Sequence, residues 1–174
     1  MITANSNPKV KMLNKLNKDS RLRRERDVFI VEGIRMFREI PVDSVEEIYM
    51  SESAYAEYCD EDGLQALYKA AEVTVMSDSV FAGVSQTKTP QGCMAVVRCF
   101  HYKMTDIAGK ADAETYLILD TIQDPGNMGT IFRSAEAAGI TGVVIGPGSC
   151  DPYNPKVVRS TMGAIFRVPF VQSD

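Results

Sequence analysis

Residues 116–146, YLILDTIQDPGNMGTIFRSAEAAGITGVVIG, carry the pattern from which the fold class follows. "YLILD" and "GVVIG" are short apolar runs, and between them "NMGTIFRSAEAAG" has helical length and is stopped by Gly139. Near-continuous apolar strands joined through a helix predict a parallel α/β sheet covered on both faces, because crossover helices bury the faces they span. Ligands of such sheets gather beyond the carboxyl ends of the strands, where "DTIQDPGNMGTIFR" lies. Asp120 ends the first strand, "DPGN" predicts a tight turn, and Asn127 is placed to cap a helix beginning near Met128. Gly129 leaves no side chain over the first turn, so another backbone or a nucleotide can come close. Arg133 follows one turn later, a planar cationic fork suited to a phosphate.

Each of these residues also has a purely structural account. Asn127 can be only a cap, Gly129 can serve only close packing against the sheet, and Arg133 can pair with Glu136 three residues on, a surface interaction of small energy. The glycines do not form G-x-G-x-x-G, and G-x-x-x-x-G-K-[ST] is absent, so neither the dinucleotide nor the P-loop fingerprint applies. A phosphate-bearing ligand stays open, whereas ordinary NAD or ATP sites are disfavoured.

Beyond residue 146, "PKVVRSTMGA" predicts a further helix and "FRVPF" a third strand with Pro169 near its end. Before residue 115, residues 100–114 are polar, lack either periodicity and are expected to form a linker. Residues 1–99 alternate as a second α/β layered domain. Asn7–Pro8 starts a helix with Val10, Leu13 and Leu16 on one face, and "VFIV", "VEEIYM", "VTVM" and "GCMAVVRC" predict strands, with "EGIRMFREI", "LQALYKAA" and "DSVFAGVS" helix-like between them.

The net charge of −4 would argue against a nucleic-acid partner if it were spread evenly. It is not: residues 1–38 hold ten Lys/Arg against four Asp/Glu, leaving nine against nineteen for the rest. Such partition points to an arm facing a polyanion, with a solvated helix face as the competing account. Four cysteines without a C-x-x-C pair, and a single histidine, His101, disfavour a structural zinc site, and no metal is expected. With no apolar run of about 18 residues, and an opening segment unlike a signal peptide, no membrane partner is expected and a cytoplasmic location is.

The stretch from Leu117 to Phe170 resembles the first half of the catalytic domain of SpoU/TrmH ribose methyltransferases, members of the knotted SPOUT class. Its N-x-G-x-x-x-R core, Asn127, Gly129 and Arg133, matches their first motif, and "STMGAIFRVP" is similar to the segment preceding the second. "NPKVKMLNKLNKDSRLRRERDVFIVEG" and "SQTKTPQGCMAVV" resemble the family's ribosomal-protein-like substrate-binding domain. The resemblance implies an RNA substrate-binding domain over residues 1–99 and an incomplete methyltransferase domain over residues 115–174. It implies transfer of a methyl group from S-adenosylmethionine to a ribose 2′-hydroxyl, in ribosomal RNA by preference and in transfer RNA as the alternative.

Carried onto this chain, the resemblance makes Arg133 and Asn127 the catalytic candidates and Gly129 and Gly163 the structural glycines of the motifs. RNA contact falls to Lys11, Arg21, Arg23 and Arg24. "TKTPQG" keeps its local account, a turn before a strand. A guanidinium is a poor base, so Arg133 is expected first to grip the neighbouring phosphate and orient the hydroxyl. Cofactor-binding residues are expected beyond Asp174, and with them the surface by which full-length members form homodimers. The 174 residues alone are therefore expected neither to bind the cofactor nor to methylate RNA. The rival is a noncatalytic RNA-binding or ribosome-assembly protein, and the gene sequence beyond Asp174 separates the two.

Overall fold

The computed structural model describes residues 1–109 and 114–173, which fall into two compact units, Met1–Cys99 and Phe100–Asp174. In the front unit the order is α1 (Pro8–Lys18), α2 (Ser20–Arg26), β1 (Val28–Glu32), α3 (Ile34–Phe37), β2 (Val45–Ser51), α4 (Glu52–Tyr58), α5 (Gln65–Ala70), β3 (Glu72–Met76), α6 (Asp78–Val84) and β4 (Cys93–Arg98). The sheet runs β1-β4-β2-β3. Strand β4 is antiparallel to both β1 and β2, while β2 and β3 are parallel. The sheet is thus mixed, with helices as connections between its strands.

Helix α1 starts as its sequence dictates: Asn7 accepts the amide of Lys9 at 2.9 Å and Pro8 occupies the first turn. Its stripe of Val10, Leu13 and Leu16 is buried against Val28, Ile30, Tyr49, Met94 and Val96 of the sheet and Phe81 of α6. Helix α3 is far shorter than "EGIRMFREI" suggests. Pro41 keeps Ile40 out of helical geometry, and the chain turns after Phe37. Helix α4 has no apolar stripe to announce it, since Ala54 is its one buried residue; the Ser51 hydroxyl caps it by accepting from Ala54 N at 3.2 Å.

The second unit contains α7 (Met104–Ile107), β5 (Tyr116–Leu119), α8 (Pro125–Ala137), β6 (Gly142–Ile145), α9 (Pro155–Ser160) and β7 (Phe170–Gln172), with β5-β6-β7 all parallel. The third strand begins after Pro169 rather than over "FRVPF", because Ala164–Phe166 forms a 3-10 turn. The expected linker is a correction. Residues 100–109 belong to this unit: Tyr153 Oη donates to Phe100 O at 2.8 Å, the Phe100 ring meets Phe166 edge-on at 6.1 Å, and Ile107 is buried. Residues 110–113 of that stretch lie outside the described residues. No described helix is long and apolar enough to cross a membrane.

Candidate active-site and RNA-facing residues

The carboxyl ends of β5 and β6 are stitched together. Gly146 N donates to Leu119 O at 2.8 Å, Cys150 N to Ile122 O at 2.8 Å, and Ile122 N to Ser149 Oγ at 3.1 Å. Thr121 holds a left-handed conformation (φ 56°), costly for a β-branched residue, and its hydroxyl donates to Asp120 Oδ1 at 2.8 Å. Burial pushes the Cys150 thiol above its ordinary range, and its sulfur lies 3.7 Å from Met128 Sδ, so it is a packed thiol and not a ready nucleophile. These loops thus bond to one another through Leu119 O, Ile122 and Ser149.

Helix α8 begins three residues before Met128. Pro125 stands at its first position, so the cap is the preceding residue: Asp124 Oδ1 accepts from Asn127 N at 2.7 Å. This corrects the expectation that Asn127 is the cap. Asn127 is the third helical residue, exposed, and its carboxamide has no partner among the described residues. At Gly129 it is another backbone that comes close. A Cβ there would lie 2.4 Å from Ser160 Cβ and 2.9 Å from Val157 O, so the glycine lets α8 and α9 touch backbone to backbone and leaves no room for a nucleotide.

Arg133 is exposed and makes no hydrogen bond or ion pair among the described residues. The expected alternative partner, Glu136, is taken by Arg167, whose Nε and Nη2 both donate to it; that bond holds the Glu136 carboxyl below its usual range. Asn127 and Arg133 are six residues apart, about 9 Å along the helix and a third of a turn around it. The helix therefore does not bring them together. Gly163 is buried at φ 96°, directly after Met162 at φ 51°, and this left-handed pair turns the chain from α9 towards β7.

In the front unit α1 and α2 present Lys11, Lys15, Lys18, Arg21, Arg24 and Arg26 to solvent. Arg21 is shared with Glu25 at 2.8 Å. Arg23 corrects the sequence expectation: it is 3% exposed and its Nη1 donates to Leu16 O at 2.7 Å, tying α2 to the end of α1. In the run from Arg21 to Arg26 Arg23 is the buried arginine, beside Leu22, which packs against the core. Lys15 and Lys18, off the Val10–Leu13–Leu16 stripe of α1, and Arg26 at the end of α2 join the exposed set.

Residues 7–95 match the MRM3-like substrate binding domain, and residues 114–174 match the SpoU rRNA Methylase family. The chain is 33% identical over 173 residues to the 23S rRNA (guanosine(2553)-2′-O)-methyltransferase RlmP of Bacillus subtilis, with 98% of this chain and 64% of that protein covered. It is 45% identical over 92 residues to the mitochondrial rRNA methyltransferase 3 of Xenopus laevis, with 51% and 22% covered. The AdoMet-bound rRNA methyltransferase from Sinorhizobium meliloti superposes with a TM-score of 0.84 at 26% identity, over 98% of this chain and 63% of that one. The SpoU methyltransferase AviRb from Streptomyces viridochromogenes shares the fold, with a TM-score of 0.80 at 23% identity over 96% and 63%. The chain thus spans under two thirds of the length of each of these proteins.

Proposed function

Since the chain belongs to the SpoU rRNA methylase family and carries its MRM3-like substrate-binding domain, we propose that it serves methyl transfer to a ribose 2′-hydroxyl of ribosomal RNA. The observation that carries this reading is Arg133: in the family's first motif, exposed on α8, and without a partner among the described residues, Glu136 being held by Arg167. An arginine kept free in this way is available to a phosphate in bidentate fashion. S-adenosylmethionine supplies the methyl group when bound. The part of this chain is to hold RNA and present the hydroxyl, with Arg133 gripping the adjacent phosphate and Asn127 contacting substrate through its free carboxamide. Transfer RNA is the alternative substrate, and a cytoplasmic setting and a homodimeric assembly belong to the same reading.

RNA affinity is assigned to the exposed cations of α1 and α2, Lys11, Arg21 and Arg24 with Lys15, Lys18 and Arg26, and not to Arg23. Neutralising Lys11, Arg21 and Arg24 together should flatten the salt dependence of binding, each lost phosphate contact lowering the log–log slope by about 0.7 to 0.9. An unchanged slope would assign this face to solvation.

The decisive assay is tritium transfer from labelled cofactor to ribosomal RNA by the protein carrying these residues. Arg133→Lys keeps a charge and loses the fork, so transfer should fall at least about a hundredfold with folding intact. Near-normal turnover would remove the bidentate role. Titration of the 174 residues alone with S-adenosylmethionine is expected to show no saturable binding. Transfer by no form of the protein, with RNA binding retained, would favour a noncatalytic ribosome-assembly role.

A further inference from the structure

We infer that the cavity at the carboxyl ends of β2 and β3 receives one unpaired base of the bound RNA, with guanine the best fit; this rests on the reading that the front unit binds RNA. The cavity measures about 430 Å³, and its walls include Ser53, Glu57, Tyr58, Asp78, Phe81 and Gln91. Pockets that enclose small ligands run from about 300 to 1,000 Å³. Sequence-specific RNA recognition takes single bases splayed from the stack onto aromatic surface and reads their hydrogen-bonding edges.

The lining has the chemistry for such an edge. Asp78 is fixed by Ser53, whose amide donates to Oδ1 at 3.1 Å and whose hydroxyl donates to Oδ2 at 2.6 Å. The Ser51 hydroxyl adds a third bond; a carboxylate has about four acceptor sites, so one remains on Asp78. Glu57, bonded to the Tyr58 hydroxyl, adds a second carboxylate. Gln91 Oε1 is occupied by the amide of Ile34 at 3.2 Å, which leaves its amino group as a donor. Guanine offers two adjacent donors, N1–H and the N2 amino group, to the two carboxylates, Asp78 and Glu57, and its O6 to the Gln91 amino group. Uracil has one donor between two carbonyl oxygens, which the carboxylates repel, and adenine and cytosine each have a single amino group. Two carboxylates also exclude a phosphate from the cavity itself.

Two cations close in sequence to these residues are available to the flanking backbone. Arg35 follows Ile34, and Lys88 stands two residues before Pro90 of the wall; both are exposed and without a partner among the described residues. The loop bearing Lys88 is set in advance. Glu32 accepts from Gln86 N and from Thr87 Oγ1, each at 3.1 Å, and also from the Ser85 hydroxyl. Gly92, at φ 74°, closes the wall where a Cβ would lie 2.5 Å from both Ala54 Cβ and Ser51 Oγ. A loop held this way loses little entropy on binding. "TKTPQG" is therefore more than a turn before a strand: it forms one wall of a preformed site.

The test uses the full chain and four five-nucleotide single-stranded RNAs that differ only in the central base, titrated by fluorescence anisotropy. The central-guanine RNA should bind at least about tenfold more tightly than the central-uracil one, the scale of one good bidentate base contact. Glu57→Gln, on the exposed face of α4, and Asp78→Asn should each erase most of that preference. If these carboxylates only repelled the backbone, neutralising them would raise affinity for every RNA alike, and that outcome overturns the proposal. Equal binding of all four RNAs by the unaltered chain overturns it too, and leaves RNA binding by the basic helices intact. Absence of any salt-dependent binding counts against the RNA reading itself. A cavity that takes a lysine-bearing peptide and not the oligonucleotides would mark a protein-docking site instead.

Discussion

In the front unit the central strand β4 is buried at every position from Cys93 to Val97, whereas in the second unit the equally apolar β5 leaves Ile118 74% exposed. The residues are of the same kind; their neighbours differ. Strand β4 lies between β1 and β2, while β5 pairs only with β6 among the described residues. An apolar run thus reports a demand for burial, and only the arrangement around it shows whether the demand is met. The same contrast separates two arginines: Arg23 is enclosed and Arg133 is bare, although each sits in a helix with a glutamate within three residues.

Substitutions sharpen this contrast. Leu13→Ala in the front unit removes a side chain that is 1% exposed and should cost about 2–5 kcal/mol, read as a lower urea midpoint with loss of amide protection confined to residues 1–99. Gly129→Ala in the second unit forces a methyl group against Ser160 and should cost about 1–3 kcal/mol, with protection lost in α8 and α9. Tolerance of this methyl group would show that the two helices are free to move apart.

Smaller effects test the corrected helix start. Asp124→Ala deletes the cap and should cost about 0.5–2 kcal/mol, while Asn127→Ala should leave stability unchanged and impair methyl transfer. The reverse pattern would restore Asn127 as the cap. Ile118→Thr, at an exposed position, should shift stability by less than about 0.5 kcal/mol and reduce self-association in sedimentation. A loss comparable to that of Leu13→Ala would mean that β5 is covered in solution.

Much of the fold was legible because its signals are local. Strand and helix order follow from apolar period, Asn7–Pro8 marks a helix start through one side chain and one ring, and the N-x-G-x-x-x-R spacing survives in any reading of the chain. Charge partition and motif resemblance likewise need no coordinates. Helix α4 escaped because a helix that buries one residue leaves no periodic trace.

The tertiary structure decided what depends on a second segment. Which arginine of α2 turns inward depends on where Leu16 O lies; whether Arg133 is free depends on Arg167, 31 residues beyond Glu136. Gly129 is required by α9, not by a ligand, and the cavity walled by Ser53, Asp78 and Gln91 is assembled from three separate stretches. Sequence pattern records the preferences of each residue with its near neighbours in the chain. Contacts between distant segments are set by close packing of the whole core, and no local period encodes them.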